Sequence, residues 1–354
     1  MIEKWKLGRE IEVISSQLAT PVTFFTNRLR KRNYEKKKSR TIRISEGAML
    51  PGSEIAVFLI YQPNGVPGSI VHTCGHLAGK GISPFIVSNS RLSNEDRRRL
   101  ADVSWKIMER PNFGYDFGGY REGILYLDEH DLIPDRLYLL NDSIWFPLFS
   151  DSDLIDRLRE LNVDVASPVQ ARYKHRPDHT FIHSYLMRFD RRAIVSDGFL
   201  RYWRELPMSN NKMAVVRGGE KRLAMRMEEL GLSTGAVWNI EDALREIEHL
   251  SDNEFLGAAD YTADIYQAAQ RRLDAARSAE LDIAANRDSL IQSGYFGRDL
   301  LKTFPLVTIG RLGIPFMKKL RQDPFRKARR SLLESELSSD LAPAVRKELA
   351  SWDG

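Results

Sequence analysis

Two stretches of this sequence carry side chains that could hold a phosphate-bearing ligand. An apolar run at 137–140 ends in Asn141-Asp142-Ser143, and a glycine-rich stretch, NFGYDFGGYREG, spans 112–123. A carboxylate at the tip of an apolar strand suits a hard divalent cation, which prefers oxygen ligands and can bridge two phosphate oxygens. We therefore predict that Asp142 binds Mg or Mn, with Asn141 and Ser143 contacting the ligand beside it.

The glycine-rich stretch offers polar groups on a backbone that a ligand can approach closely. Its glycines permit conformations closed to other residues. It lacks the Gly-Lys-Ser/Thr of a Walker loop and does not match the GxGxxG dinucleotide fingerprint. Asn112, Gly114 and Asp116 would suit a ribose, a sugar hydroxyl or a metal-bound diphosphate. The alternative is a tight strand-to-helix turn in which Asp116 caps the helix.

A second acidic pair, Asp151 and Asp153, forms an Asp-x-Asp sequence. It opens a predicted helix at 151–160 that Ser150 would cap, and carboxylates are favoured at a helix start for dipole reasons alone. The strand-end position makes Asp142 the better predicted metal ligand.

Short apolar runs alternate with helical segments through the first half of the chain. The predicted strands are 55–60, 84–88, 105–108, 137–140, 163–167 and 184–189, and the predicted helices between them are 67–78, one from 93, 118–127 and 151–160. This spacing is typical of βαβ units and predicts an α/β fold with a mostly parallel sheet. Ligands bind at the carboxyl ends of such strands, so Tyr61 and Asn89 join the predicted site.

Positive charge is concentrated in two runs, although the net charge is only +5. Residues 28–43 carry nine positive charges and one Glu, and 318–330 forms the second run. Such runs bind nucleic acid or an anionic membrane surface, or are simply solvated. They lack the interleaved aromatic residues of a base-stacking platform, so we expect no nucleic-acid partner.

The expected location is the cytoplasm. No stretch approaches the ~20 apolar residues of a membrane span, and the charged N-terminus does not resemble a secretory signal. The single cysteine, Cys74, suits a reducing compartment. We expect peripheral attachment to the inner membrane face through the 28–43 run, which lies beside an apolar-rich stretch.

Several stretches, taken in order, resemble the rhamnan synthesis protein F family. They are NFGYDFGGYREG, LYLLNDS at 137–143, HSYLMRF at 183–189, VVRGGEKRL at 215–223 and GIPFMKKLRQDP at 313–324. The resemblance implies a GT-A-like glycosyltransferase with a nucleotide-sugar-binding core. It also implies transfer of a deoxysugar, commonly L-rhamnose from dTDP-rhamnose, to a glycan or lipid-linked glycan of a surface polysaccharide.

Position by position, Asn112, Gly114 and Asp116 match the family's donor-side loop, and 141–143 match its strand-end metal motif. The family pattern has a Gln where His183 stands, so the resemblance does not identify the acceptor. The predicted division of the chain is a basic segment at 1–50, a GT-A-like catalytic domain at 51–235 and a helical C-terminal region at 236–354. Within that region, 241–289 is rich in Ala, Arg, Glu and Leu and predicts long helices.

An inverting transferase also needs a base for the acceptor hydroxyl proton. Glu220 follows two glycines and precedes a helical run, so it is the predicted base. Its alternative role is that of an ordinary first-turn Glu that stabilises the helix. Asp197 and His183 are the next candidates.

Five of the seven histidines fall in two groups. His72 and His76 flank Cys74, and we interpret this group as a half-buried helix because zinc sites usually need four ligands. His175, His179 and His183 are four residues apart, but Pro177 disfavours one helical face. We interpret that segment as a loop over the acceptor site.

A second function class stays open. The same fold could serve as a non-catalytic subunit or scaffold of a polysaccharide assembly complex. A scaffold has no need of a strand-end carboxylate, so Asp142 favours the enzyme.

Overall fold

The computed structural model describes residues 20–173, 176–209, 211, 215, 219, 221–297 and 299–352. Its strands are β1 Arg43–Glu46, β2 Glu54–Ile60, β3 Ile82–Ser88, β4 Lys106–Glu109, β5 Arg136–Asn141, β6 Ile144–Trp145, β7 Val165–Tyr173, β8 Arg176–Ile182, β9 Leu186–Asp190, β10 Thr234–Trp238 and β11 Met317–Lys318.

Helices occupy much of the remainder. They are α1 Thr20–Thr41, α2 Gly68–Gly79, α3 Asn94–Ala101, α4 Tyr115–Glu129, α5 Leu154–Glu160, α6 Arg191–Ile194, α7 Asp197–Glu205, α8 Lys221–Glu229, α9 Ile240–Glu248, α10 Asp252–Ile265, α11 Gln267–Ser278, α12 Arg287–Gln292, α13 Asp323–Glu334 and α14 Pro343–Ser351. Leu300–Lys302 and Glu336–Ser339 are 3₁₀ turns, and Leu306–Arg311 is a π-helical turn.

The main sheet has the strand order β1-β4-β3-β2-β5-β9-β7-β10, with β8 paired to β7. β4, β3, β2 and β5 are mutually parallel, and so are β7 and β10. β9 is antiparallel to both β5 and β7, so those six strands share one direction. The predicted α/β fold with a mostly parallel sheet is confirmed.

Alternate residues of β2 enter two different cores, as expected for a sheet covered on both faces. Phe58 and its even-numbered neighbours pack with α2, α5 and α9 on one face. Leu59 and its odd-numbered neighbours pack with α4, α7 and α8 on the other. Helix α4 lies very close to β2, because a Cβ on Gly119 would come within 2.0 Å of Leu59 Cδ1.

The C-terminal region packs against the sheet domain. β11 pairs antiparallel with β6, placing Lys318 beside Ile144. Phe316 shares a core cluster with Phe58, and β10 spans the predicted boundary between residues 235 and 236. The three-part division of the chain stays a prediction.

Several predicted elements need correction. The helix predicted from Asp151 begins at Leu154, and no side-chain cap from Ser150 is involved, since the preceding residues form a turn. The helix predicted at 118–127 begins earlier, at Tyr115, because Gly114 makes the left-handed turn that starts it (φ 84°).

The predicted loop around the three spaced histidines was wrong where the structure describes it. Residues 176–182 form the strand β8, which pairs antiparallel with β7, and His183 follows its end. β8 lies off the path of the main sheet, where it pairs with β7. Proline is tolerated in such an edge strand, which accounts for Pro177. His175 lies outside the described residues.

The long helices predicted for 241–289 are four shorter ones. Asn239 and Ser251 each form a capping box with the third residue of the following helix, and these boxes start α9 and α10. Residue types that favour helices continue through such breaks, so composition alone predicted longer helices.

Candidate functional site

The parallel strands bring their carboxyl ends to one edge of the sheet. The register places Leu59 opposite Asn141, and Ile60 opposite Ser88. The residues that follow these strands therefore meet at this edge, as predicted from the strand-end rule.

Asp142 is anchored by the end of the neighbouring strand. Its Oδ2 accepts hydrogen bonds from the Tyr61 backbone N–H and from Gln62 Nε2, both at 2.7 Å. Burial raises the pKa of the Asp142 carboxyl, while these hydrogen bonds and the Lys319 ammonium oppose that effect.

This geometry fits a cation ligand. Both anchoring donors reach the same oxygen of Asp142, so a cation would be taken by Oδ1, on an already oriented carboxylate. Among the described residues, no group of three or more acidic, His or Cys side chains could hold a metal. A cation here would therefore depend on water and phosphate oxygens for the rest of its coordination sphere.

Asn141 links the two predicted motifs. Its Nδ2 donates to Asp116 Oδ2 at 3.1 Å, and its Oδ1 accepts from both the N–H and the hydroxyl of Ser143, at 3.1 and 2.5 Å. Asn141 is almost fully buried, whereas Asp116 and Ser143 are half-buried. A buried amide thus fixes two polar groups that face the edge of the sheet.

The glycine-rich stretch begins α4 and places Asp116 in its first turn. A Cβ on Gly114 would lie 3.0 Å from Met208 Cε and 3.1 Å from Gly118 Cα, so a side chain has little space there. Asn112 is exposed on the loop before the helix. The carboxylate of Asp116 and the first free N–H groups of α4 lie at the same end of the helix, where a phosphate is favoured.

Asn89 is held by a buried arginine that sequence reasoning missed. Arg110 donates to Asn89 Oδ1, to the Phe113 carbonyl at 2.5 Å and to Tyr34 Oη at 3.1 Å. Asn89 in turn donates to the carbonyl of Tyr115 at 3.3 Å. Arg110 therefore connects the end of β3 to the loop that begins α4.

Tyr34 brings the basic helix α1 to the same loop. Burial raises the pKa of its phenol to about 12, so it stays a neutral hydroxyl that can accept from Arg110. Its ring packs on Phe113 at 5.4 Å between centroids. Residues 28–41 of the basic run thus belong to a helix with a docked face, and Arg43 begins β1, features that the charge pattern did not predict.

The C-terminal region supplies two lysines that were also missed. Lys318 Nζ lies 3.2 Å from Ser143 Oγ, and the Lys319 backbone N–H donates to the Ser143 carbonyl at 2.8 Å. The Lys319 side chain is buried and pairs with Glu348 at 3.0 Å. Both lysines belong to the basic run at 318–330, whose charge density favoured a surface interpretation.

Two comparisons identify the family of the chain. The sequence model of rhamnan synthesis protein F matches residues 84–257. An uncharacterized protein, y4gN of Sinorhizobium fredii, is 31% identical over 356 residues, covering all of this chain and 93% of its own length. The chain belongs to the rhamnan synthesis protein F family.

Solved structures give weaker likenesses to this family member. The mannosyltransferase Ktr4p of S. cerevisiae matches with a TM-score of 0.28 and 7% identity, over 46% of this chain and 62% of the yeast chain. Core-mannan synthase A of Aspergillus fumigatus, in a Mn/GDP form, matches with a TM-score of 0.28 and 9% identity, over 47% and 69% of the two chains. The chain spans less than two thirds of the yeast protein that it matches.

Other predicted groups of this rhamnan synthesis protein F family member lie apart from the strand-end network. Asp153 pairs with Arg157 at 2.7 Å on the exposed face of α5. Asp197 is exposed at the start of α7. It follows the end of β9, whose last residue is paired with Arg136. Glu220 lies outside the described residues. Its neighbour Gly219 is described, and a Cβ there would lie 2.7 Å from the Phe117 ring.

His72 and His76 contact other groups of the protein, in line with the interpretation of a half-buried helix. His72 Nε2 lies 3.2 Å from the Pro147 carbonyl, and His76 packs edge-on against Phe146. Burial lowers the pKa of His76 to about 4, helped by the positive charge of Lys80. Cys74 between them is fully buried.

Among the helices that the structure describes, none combines the length and the apolar character needed to cross a bilayer.

Proposed function

We propose that this rhamnan synthesis protein F family member is a glycosyltransferase acting in surface polysaccharide synthesis. It would move a deoxysugar, L-rhamnose from dTDP-rhamnose in the favoured case, to a glycan or lipid-linked glycan acceptor. The observation that carries the proposal is the strand-end network. In it, Asn141 contacts both Asp116 and Ser143, and the adjacent Asp142 is held by Tyr61 and Gln62. Family membership supports the polysaccharide context.

The donor would lie across the ends of β2, β3 and β5, against the start of α4. Asp116 and Asn141 offer oxygen and amide groups for a ribose or sugar hydroxyl, and Asn89 and the exposed Tyr61 line the same edge. The N–H groups of the first turn of α4 would face a phosphate, since helix N-termini favour anions. Asn112, exposed on the preceding loop, would contact the donor from outside.

Asp142 would hold Mg or Mn, and Ser143 would contact a phosphate oxygen beside it. When bound, the cation neutralises the diphosphate and stabilises the charge that develops on it as it leaves. The chain's own contribution is orientation: the Tyr61 and Gln62 donors fix the Asp142 carboxylate before the ligand arrives.

For an inverting reaction, Glu220 would take the acceptor proton. The acceptor oxygen forms its bond to the anomeric carbon while the bond to the leaving phosphate oxygen breaks, with both of its electrons going to the phosphate. The support for Glu220 comes from the sequence, in which it follows two glycines and precedes a helical run.

The direct test is nucleotide release from a panel of dTDP-, UDP- and GDP-sugars, each with and without Mn or Mg. Water or a synthetic rhamnose-terminated glycolipid would serve as acceptor. We expect cation-dependent release of one nucleoside diphosphate. A folded protein that releases none with any donor contradicts the proposal and favours the scaffold function.

A further inference from the structure

The strand β11 delivers an ammonium group to the edge where the donor is proposed to bind. Pairing of β11 with β6 sets Lys318 opposite Ile144, the residue after Ser143. Its Nζ lies 3.2 Å from Ser143 Oγ and 4.0 Å from the centroid of the Tyr185 ring. The backbone of Tyr185 accepts from the N–H of Asn141, so the same strand ends position both groups.

The two adjacent lysines have different surroundings. Lys318 is the last residue of β11, and Lys319 directly follows it. Lys319 is turned inward, where Nζ contacts Glu348 at 3.0 Å and Ser69 at 3.2 Å and lies 5.3 and 5.9 Å from the ring centroids of Trp145 and Trp352. A carboxylate thus balances its charge in the core. Lys318 is half-buried and reaches the hydroxyl of a proposed phosphate contact.

The charge of the proposed site calls for such a group. Asp116 and Asp142 are both acidic, and a nucleoside diphosphate brings further negative charge to the same edge. An ammonium has three N–H donors, so a hydrogen bond to Ser143 is compatible with another to a phosphate oxygen. Lysine is a common phosphate ligand in proteins, acting as a point charge.

We propose that Lys318 binds the diphosphate of the donor and stabilises it as it leaves. This inference rests on the proposed glycosyltransferase function and adds a ligand from the C-terminal region. In the transfer step, the electron pair of the breaking sugar–oxygen bond goes to the phosphate oxygen, and Lys318 donates a hydrogen bond to that phosphate without giving up its proton.

The test is the dissociation constant of dTDP, UDP and GDP in the presence of Mn, measured by calorimetry on the full chain. Lys318→Met should weaken the best-bound nucleotide by about ten- to a hundred-fold, as expected for a lost hydrogen bond to a charged group. Lys318→Arg should retain much of the affinity. Lys347→Met, which removes an exposed charge from α14, is the matched control and should stay within about two-fold of the original protein.

The outcomes separate the inference from the proposed function. If the original protein binds one nucleotide and Lys318→Met binds it equally well, Lys318 is not a ligand, while the transferase proposal stands. If the original protein binds none of the three, both proposals fail. Should Lys318→Met fold poorly, Lys318→Gln keeps a donor for Ser143 and gives the same comparison.

Discussion

Glu220 is the residue proposed to take the acceptor proton. Glu220→Gln should lower kcat by about 10²–10⁴, the usual contribution of a positioned base, and leave nucleotide affinity nearly unchanged. Glu229→Gln, at the exposed end of α8, is the control and should keep its activity. If Glu220→Gln turns over at close to the original rate, Glu220 has only a helix-start role, and His183 becomes the next candidate.

His76 should make the fold sensitive to mild acid. Its pKa is about 4 in the folded chain against an ordinary value of 6.5, because burial and the Lys80 charge disfavour protonation. Between these values the unfolded chain binds more protons, so stability falls as pH falls, by up to about 1.4 kcal/mol per unit.

Chemical denaturation at pH 8, 6.5 and 5 measures this effect. His76→Leu removes the titrating group, so its free energy of unfolding should fall less than that of the original protein between pH 8 and pH 5. If the free energy of unfolding falls equally with pH in the two proteins, His76 does not titrate as its surroundings indicate.

At the same scale, the sequence predicted much of the strand-end network. Asn141 and Asp142 follow an unbroken apolar run, and strand ends of a parallel sheet are adjacent in space, so local pattern was enough to predict a polar edge. Arg110 and Lys318 were missed because their partners are remote in sequence. Lys318 meets Ser143 across 175 residues, and Arg110 meets Tyr34 across 76.

At the scale of elements, the contact between α4 and β2 depends on a glycine. A Cβ on Gly119 would lie 2.0 Å from Leu59 Cδ1, so Gly119→Ala should destabilise the fold by about 1–3 kcal/mol despite its better helix propensity. Gly75 in α2 is exposed with no atom within 4 Å of an added Cβ, so Gly75→Ala should stabilise by up to about 1 kcal/mol.

Urea denaturation of the two variants gives this comparison directly. Changes of opposite sign in the free energy of unfolding of the two variants support close packing of α4 on the sheet. A Gly119→Ala protein as stable as the original would mean that Leu59 moves away without cost, and that α4 is held less tightly than its geometry indicates.

The predictable elements were those with a strong local pattern. β2 and β3 read as unbroken apolar runs because both faces of each strand are buried. β6 and β11 have two residues each and form only because remote segments pair. The helix at 20–41 was missed because its docked face combines Tyr34 with charged residues, a pattern without ordinary amphipathic periodicity.

At the scale of the whole molecule, the basic helix α1 packs one face against the rest of the protein and exposes the other to solvent. Arg121 pairs with Glu35 at 2.8 Å, and Lys31 donates to backbone carbonyls at the end of α7. The exposed basic residues of α1 are Arg28, Arg30, Arg32, Lys36, Lys37 and Arg40. This arrangement leaves the outer face of α1 exposed to solvent while the helix stays docked.

We predict reversible binding to anionic vesicles. Each Lys or Arg near such a surface contributes about 1 kcal/mol, and salt screens the attraction. Co-sedimentation with phosphatidylserine-containing vesicles should be clear at low salt and lost in half-molar salt. Lys36→Glu/Lys37→Glu should abolish it, whereas Arg346→Glu/Lys347→Glu, with the same charge change on α14, should not. Binding that persists in half-molar salt would contradict this electrostatic account.

The central claim is that the strand ends form a cation-assisted donor site around Asp142. Calorimetric titration of dTDP, UDP and GDP, with and without Mn, into the original protein, Asp142→Asn and Asp153→Asn tests it most directly. Asp142→Asn keeps the side-chain shape and removes only the charge.

We expect one nucleotide to bind the original protein more tightly with Mn. Asp142→Asn should lose that gain, and Asp153→Asn should keep it, losing only an exposed ion pair with Arg157 and a helix-start interaction of about 0.3–1 kcal/mol. Loss of the Mn-dependent gain in Asp153→Asn together with its retention in Asp142→Asn would contradict the assignment of the site.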